Sequence, residues 1–213
     1  MSTLSFSNTF KTITAAAVLS LSAPLTAVAV PSAETSADEI GDLDALLHNS
    51  QDDSELSAGV VNGNESLSWR EGEISTSVPH NPAEMAKTTI DGQDMLEIGL
   101  LHPETVSEGV VTSNNTVIFP AQDSPDTYAM QLYDNGSLGL TAIAVTPESE
   151  GQFAYDLPSS ITPVVQQTGA VALYEHDSLI GVVEHPEAYD ADGNAIVTKY
   201  VDVDGDLVQV VSP

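Results

Sequence analysis

Oxygen-bearing side chains alternate along two stretches near the C-terminus, a pattern that is typical of calcium loops. Carboxylate and amide oxygens are ligands that calcium prefers in proteins. The residues concerned are Asp190, Asp192, Asn194, Asp202, Asp204 and Asp206. An EF-hand loop also needs glycine at its sixth position and glutamate at its twelfth. The first stretch has alanine and valine there, and the second has leucine and proline. Both stretches are therefore weak calcium candidates, and structural turns built on Asp, Asn and Gly explain them better.

No local motif for nucleophilic or zinc chemistry occurs in the chain. Cysteine is absent, and Gly136-Ser137-Leu138-Gly139 fails the spacing of a nucleophile elbow and is more typical of a hairpin turn. No histidine pair has the i, i+4 spacing of a zinc helix, and each histidine is expected in a loop or turn. The histidines are His48, His80, His102, His176 and His185. We predict no catalytic residue and no cofactor. The alternative is a Ser-His-Asp site assembled from distant strands.

Acidic residues dominate the charge of this protein. The 213 residues include 32 Asp and Glu but 4 Lys and Arg, which gives a formal net charge of -28. Phosphate backbones and anionic membrane surfaces repel such a chain, so neither nucleic acid nor an anionic membrane is an expected partner. A basic protein or a cation remains compatible with this charge, and so does simple solubility in a salty medium. Trp69, the single tryptophan, is interpreted as a packing residue at a strand end, with a ligand anchor as the alternative.

The first 29 residues have the features of a secretory signal peptide. Lys11 precedes an apolar run of small residues that continues to Val30, and Ser20, Ser22 and Pro24 interrupt it. Ala27-Val28-Ala29 fits the small-x-small pattern that precedes signal cleavage. We therefore predict a signal peptide at residues 1–29 and a secreted or envelope-associated protein. A membrane anchor is the alternative.

Residues 30–64 are rich in Ser, Asp, Glu and Gly, which predicts a flexible acidic segment. One short helix is expected inside it, with Ser36 as its cap. The apolar positions of this helix fall on one face: Ile40, Leu43, Leu46 and Leu47.

Residues 65–213 alternate short β-prone runs with turn residues, which predicts a β-rich domain. Thr116-Val117-Ile118-Phe119 is one such run, and Leu138 to Val145 is another. Asp134-Asn135-Gly136 and Asp204-Gly205 are typical hairpin turns between such runs. The expected fold is mainly β, an antiparallel β-sandwich or partly open barrel.

The C-terminus resembles a known module. Residues 186–193 read Pro-Glu-Ala-Tyr-Asp-Ala-Asp-Gly. Val197-Thr198-Lys199-Tyr200 follow, and the chain continues with Gly205-Asp206-Leu207-Val208-Gln209-Val210-Val211. This is similar to a group of exported proteins, common in actinobacteria, that end in P-W-A-x-D-A-x-G…V-x-T-x-Y…G-x-L-x-Q-x-V. Glu187 stands where the group typically has tryptophan. The resemblance implies export and a β-rich fold, and it implies no catalytic residue. The leading hypothesis is therefore an exported, non-enzymatic binding or envelope-associated protein, and the alternative is an extracellular hydrolase.

Overall fold

The computed structural model describes residues 12–19, 37–49, 60–144, 149–190 and 194–212. Within these residues the chain is mainly β, as predicted, with one α-helix and a short 3-10 turn at Pro103–Thr105. In chain order the helix and strands are β1 (Thr12–Leu19), α1 (Ala37–Asn49), β2 (Val60–Asn62), β3 (Ser66–Glu71), β4 (Ile74–Pro79), β5 (Ala86–Ile90), β6 (Gln93–Leu100), β7 (Val110–Val111), β8 (Thr116–Phe119), β9 (Asp126–Leu132), β10 (Leu138–Ala144), β11 (Gln152–Asp156), β12 (Ile161–Val165), β13 (Val171–Glu175), β14 (Ser178–Val183), β15 (Glu187–Tyr189), β16 (Val197–Val203) and β17 (Asp206–Ser212).

The strands form two sheets that face each other as a sandwich. The first sheet has the order β12-β13-β14-β1-β10-β9-β8-β7, and β15 also pairs with β1. The second sheet has the order β16-β17-β11-β6-β5-β4-β3-β2, and its pairs are antiparallel. The predicted antiparallel sandwich is therefore confirmed. One strand departs from it, because β1 pairs in parallel with β10, β14 and β15.

The hydrophobic core lies between the two sheets. Leu67 and Trp69 of β3 belong to the same buried cluster as Phe119 of β8 and Leu140 of β10. Alternation along β3 places Leu67 and Trp69 on its buried face, as a half-buried strand requires. The Trp69 side chain is 4% exposed, so it packs in the core, in agreement with its interpretation as a packing residue. Within the described residues, no helix is both long and apolar enough to cross a membrane.

Helix α1 covers the outer face of the first sheet. Ile40 and Leu47 of the helix are buried against apolar side chains of three adjacent strands. Those side chains are Ile118 of β8, Ala129 of β9 and Ile143 of β10. The packing leaves β10 buried on both of its faces. The short helix predicted inside residues 30–64 is thus present and contacts the domain.

A polar contact fixes the same helix to a loop of the sandwich. The side-chain amide of Asn114 donates a hydrogen bond of 2.7 Å to the carboxylate of Asp44. Asp44 is itself 9% exposed. Strand β2 also lies within residues 30–64, so parts of the predicted acidic segment contribute to the fold. The predicted cleavage motif at residues 27–29 lies outside the described residues.

Burial of a carboxyl group at the start of β9 makes the stability of the fold sensitive to pH. Asp126 is 8% exposed, and its Oδ1 atom has no hydrogen-bond partner. Burial raises the pKa of the Asp126 carboxyl, and a hydrogen bond with Ser149 offsets this rise only in part. A raised pKa means that the folded state binds the proton more tightly than the unfolded state does. Stability from this group is therefore present at low pH and is lost as the pH rises through the folded pKa.

Replacement of this carboxyl is expected to stabilise the protein at neutral pH. Asp126→Asn removes a buried charge, so the free energy of unfolding at pH 7 should rise by about 1 kcal/mol, the size of a typical single-substitution effect. The gain should shrink as the pH falls, because wild-type Asp126 then becomes neutral. Urea melts at several pH values measure the difference. Asp123→Asn, on the exposed loop beside it, is the control and should have little effect. A pH-independent gain for Asp126→Asn would contradict the assignment.

Candidate binding groove

Residues of the C-terminal module line an open groove of about 360 Å³. Its walls are formed by β15 with the two residues before it and by the start of β16 with Ala195 and Ile196 before it. The lining residues are His185, Pro186, Glu187, Ala188, Tyr189, Ala195, Ile196, Val197 and Thr198. We call it the C-terminal groove. Sequence reasoning singled out this stretch for its turn residues and its resemblance, but the groove itself depends on how three strands meet.

A buried glutamine holds the walls of the C-terminal groove together. Gln209 of β17 is fully buried, and its Nε2 atom donates hydrogen bonds to the carbonyl of Glu187 (3.0 Å) and to the hydroxyl of Thr198 (3.1 Å). The amide of Ile196 also donates to the carbonyl of Ala188 at 2.8 Å. Thr198 and Gln209 thus have a structural role. In the sequence, the Q-x-V part of the pattern was the only feature that could have indicated this role for Gln209.

Tyr200, another polar residue of the module, belongs to the core. Tyr200 of β16 is 3% exposed, and burial raises the pKa of its hydroxyl. Its neighbour Tyr155 is fully buried, and burial raises the pKa of that hydroxyl as well, with smaller contributions from Tyr128 and Tyr200. Tyr155 and Tyr128 contact each other edge to face, with ring centroids 6.2 Å apart. These tyrosines therefore fill the sandwich and remain neutral.

The residue types that a hydrolase needs do line one groove, namely His185, Glu187 and Thr198. Their hydrogen bonds, however, serve the fold. The Thr198 hydroxyl donates to the carbonyl of Val210 at 3.1 Å, so its proton points to the backbone instead of to a base. The carboxylate of Glu187 accepts a hydrogen bond of 3.0 Å from the Tyr189 hydroxyl. Nucleophilic activation requires the hydroxyl to donate to the base, and this arrangement does not provide it.

Hydrogen bonds join the two described ends of the first calcium candidate stretch, Asp190 and Asn194. The Asp190 carboxylate accepts a hydrogen bond of 2.8 Å from the backbone amide of Asn194. It also accepts from the Asn194 side-chain amide at 2.9 Å and 3.2 Å. Such bonds from Asp and Asn to nearby backbone are what stabilise a turn. Asp192 lies outside the described residues. Asp190 and Asn194 are therefore brought together, but as partners of each other.

The second calcium candidate stretch is a two-residue hairpin. Asp204 and Gly205 connect β16 to β17 with φ angles of 56° and 100°, and positive φ at both positions is the signature of a type I′ turn. Asp202 accepts a hydrogen bond of 2.9 Å from the amide of Gly205. Asp206 begins β17, and its charge adds to burial in raising the pKa of Asp156. Among the described residues, no group of three or more His, Asp or Glu side chains is arranged to hold a metal ion.

Acidic side chains border the C-terminal groove. Glu184 and Glu187 are exposed at its upstream end, and Asp190 is partly exposed at the turn. The hydrogen bond with Glu187, followed by burial, raises the pKa of the Tyr189 hydroxyl. Lys87, on the second sheet, forms ion pairs with Asp94 and Glu97, so its charge is already compensated there. The border of the groove is thus suited to a cationic ligand.

The histidines lie where the sequence predicts, with one exception. His80, His102, His176 and His185 occupy turns or loops, whereas His48 lies in α1. The helix includes His48 because the apolar face of α1 continues to Leu47, which packs on the sheet. His185 lies against the turn at Gly169, where an added Cβ would approach its ring to 2.7 Å.

Comparison with known proteins provides no relative for this fold and groove. No family model matches the chain, and no curated protein or solved structure matches it.

Proposed function

We propose that this chain is an exported, acidic β-sandwich protein that binds a basic polypeptide outside the cell or at the cell envelope. Export is supported by the apolar leader and by the small residues at positions 27–29. Binding without catalysis is supported by the C-terminal groove, where the polar side chains hold the strands together.

The acidic border of the C-terminal groove is the observation that carries the proposal. A net charge of -28 attracts any cation over a long range, but it does not select a place of contact. Glu187 is exposed and lines this concave surface, so a basic segment can gain both an ion pair and apolar contact there. Contacts of this kind give specificity and fast association more than raw affinity.

An extracellular hydrolase is the second candidate, because His185, Glu187 and Thr198 line the same groove. It requires Thr198 to exchange its bond to the Val210 carbonyl for a bond to a base. Thr198→Val would abolish hydrolysis in that case. If the protein only binds its ligand, Thr198→Val should leave the dissociation constant of the folded protein unchanged, even if the variant itself is less stable.

Binding of a fluorescent lysine-rich peptide tests the proposal. We expect Glu187→Gln to raise the dissociation constant by roughly 1.4- to 5-fold, since an exposed ion pair contributes about 0.2–1 kcal/mol. Glu104→Gln is the matched control, because Glu104 is also exposed but lies in the turn at Pro103–Thr105 and does not line the groove. Fluorescence anisotropy at low and high salt measures both variants.

Equal losses for Glu187→Gln and Glu104→Gln would contradict the proposal. That result would mean that the peptide responds to net charge alone and that the groove has no part in binding.

A further inference from the structure

Strand β1 joins two parts of the first sheet. On one side it pairs with β10 over seven consecutive residues, from Ile13 opposite Leu138 to Leu19 opposite Ala144. On the other side its first residues pair with β14 and its later residues pair with β15. In the described part of the chain, no pairing joins β10 directly to β14 or β15. We call the strand-wide slot between β10 and the β14–β15 edge the seam.

The seam cannot stay empty without cost. Every residue of β10 is buried, with Leu140 and Ala142 facing the core and Ile143 beneath α1. Without a neighbour in the seam, the N–H and C=O groups along that side of β10 would lose their partners in a buried setting. Each unsatisfied buried group costs about 1–3 kcal/mol, so several of them rival the stability of a domain.

The strand that fills the seam lies within the segment that we propose is removed on export. β1 ends at Leu19, and the proposed cleavage follows Ala29. The mature protein would then lack its strand in the seam. This step depends on the proposed function, because only export removes the leader.

The mature chain offers no suitable replacement of its own. Residues 30–36 contain Pro31 and Glu34, and residues 50–59 contain Asp52, Asp53 and Glu55. A proline removes a ladder hydrogen bond, and a charged side chain is costly to bury. The other uncharged strands already belong to the sheets, so a second mature copy has no free strand to donate.

We infer that the seam is a strand-accepting site, and that in the exported protein it binds an extended segment of a different polypeptide. The chemistry of that segment follows from the strands that it must join. β10 reads Leu-Gly-Leu-Thr-Ala-Ile-Ala and β1 reads Thr-Ile-Thr-Ala-Ala-Ala-Val-Leu, so the ligand strand is uncharged and built of small and β-branched residues. Glu187 is exposed and lies opposite Ala16 in the middle of β1, so the ligand strand carries no acidic residue at that position. Addition of such a strand is a known mode of peptide recognition.

Exchange of the leader for a peptide tests this inference on the folded full chain. A protease site is inserted after Ala29, the folded protein is cleaved, and a fluorescent peptide with the sequence of residues 11–19 is added. We expect saturable binding of the peptide and release of the leader fragment. Hydrogen exchange should show that the β10 amides lose protection when the seam is empty and regain it with peptide.

A proline-containing peptide is the matched control. Ala16→Pro in the peptide removes a donor in the middle of the strand, so its dissociation constant should be roughly 100-fold higher. Equal affinity of the two peptides would overturn the inference. It is also overturned if the leader never exchanges, or if leader-free protein keeps its β10 amides protected and binds no peptide.

The register of binding gives an independent readout. The chain contains no cysteine, so one pair can be introduced without background. Ala17 lies opposite Ala142, and a peptide with Ala17→Cys should therefore form a disulfide with the Ala142→Cys protein. A peptide with Ala16→Cys should not, because a shift of one residue places its side chain on the other face. Equal cross-linking would overturn the inference.

Export is tested separately. N-terminal sequencing of protein from the culture medium should begin at Val30. Intact Met1 in the membrane fraction would contradict the proposed function, whereas the peptide experiment would still decide whether the seam accepts a strand.

Discussion

Removal of residues 207–213 is expected to unfold the sandwich. Those residues are nearly all of β17, which lies between β16 and β11 and pairs with both. Leu207 and Val211 belong to the core, and Gln209 fastens β15 to β16. Burial of one aliphatic side chain stabilises by roughly 1.5–3 kcal/mol, and a whole domain has about 5–15 kcal/mol. Loss of this strand thus removes much of the total, leaves β16 without its ladder partner and exposes one edge of β11.

Circular dichroism and urea melts measure this effect. A chain that lacks only residues 212 and 213 is the control, because Ser212 is exposed and lies at the end of β17. The control should melt close to the full chain, whereas the longer truncation should show no cooperative transition. Equal midpoints for the two truncations would show that β17 is dispensable and that its packing contributes little.

Substitution of Gly205 by valine is expected to destabilise the hairpin between β16 and β17 strongly. Gly205 has a φ angle of 100°, and an added Cβ would find no atom within 4 Å. The loss therefore comes from backbone strain alone and not from collision. A side chain in such a conformation costs about 1–3 kcal/mol, and a β-branched one lies at the upper end of that range.

A second substitution at the same position separates strain from side-chain size. Gly205→Asn should cost clearly less, because Asn tolerates positive φ better than valine does. Thermal and urea melts of both variants give the comparison. If valine and asparagine were equally tolerated, the turn would have to change its conformation in solution, and the type I′ assignment would be wrong.

Local signals in the sequence were sufficient for several of the strands and turns and for the helix. Asp204-Gly205 between two β-prone runs predicts the hairpin that the structure contains. Asp134-Asn135-Gly136 marks a second one, in which Gly136 has a φ angle of 72°. The spacing of Ile40 and Leu47 likewise predicts a helix with one apolar face. Each of these features depends on neighbours within a few residues, so periodicity and turn chemistry can reveal it.

The groove and the seam depend on partners far apart in the chain. Gln209 bonds to Glu187 and Thr198, and nothing in the local pattern of β17 shows which strand it will reach. Ile13 pairs with Val183 across most of the protein. The apolar run that contains Ile13 has the composition of a signal peptide. Composition alone does not show that the same run can also form a strand of a sheet. The seam was therefore beyond sequence reasoning.

The outer edges of both sheets are poor sites for adding further strands. β7 has only two residues and β2 only three, so each offers few hydrogen-bonding groups. β12 contains Pro163, and β16 carries the charged Lys199, two devices that hinder edge-to-edge association. Such edges limit polymerisation of the protein into ribbons, even where its concentration is high. If the leader is removed on export, as we propose, an incoming strand is directed instead to the interior of the first sheet, where β1 pairs with β10 at seven positions.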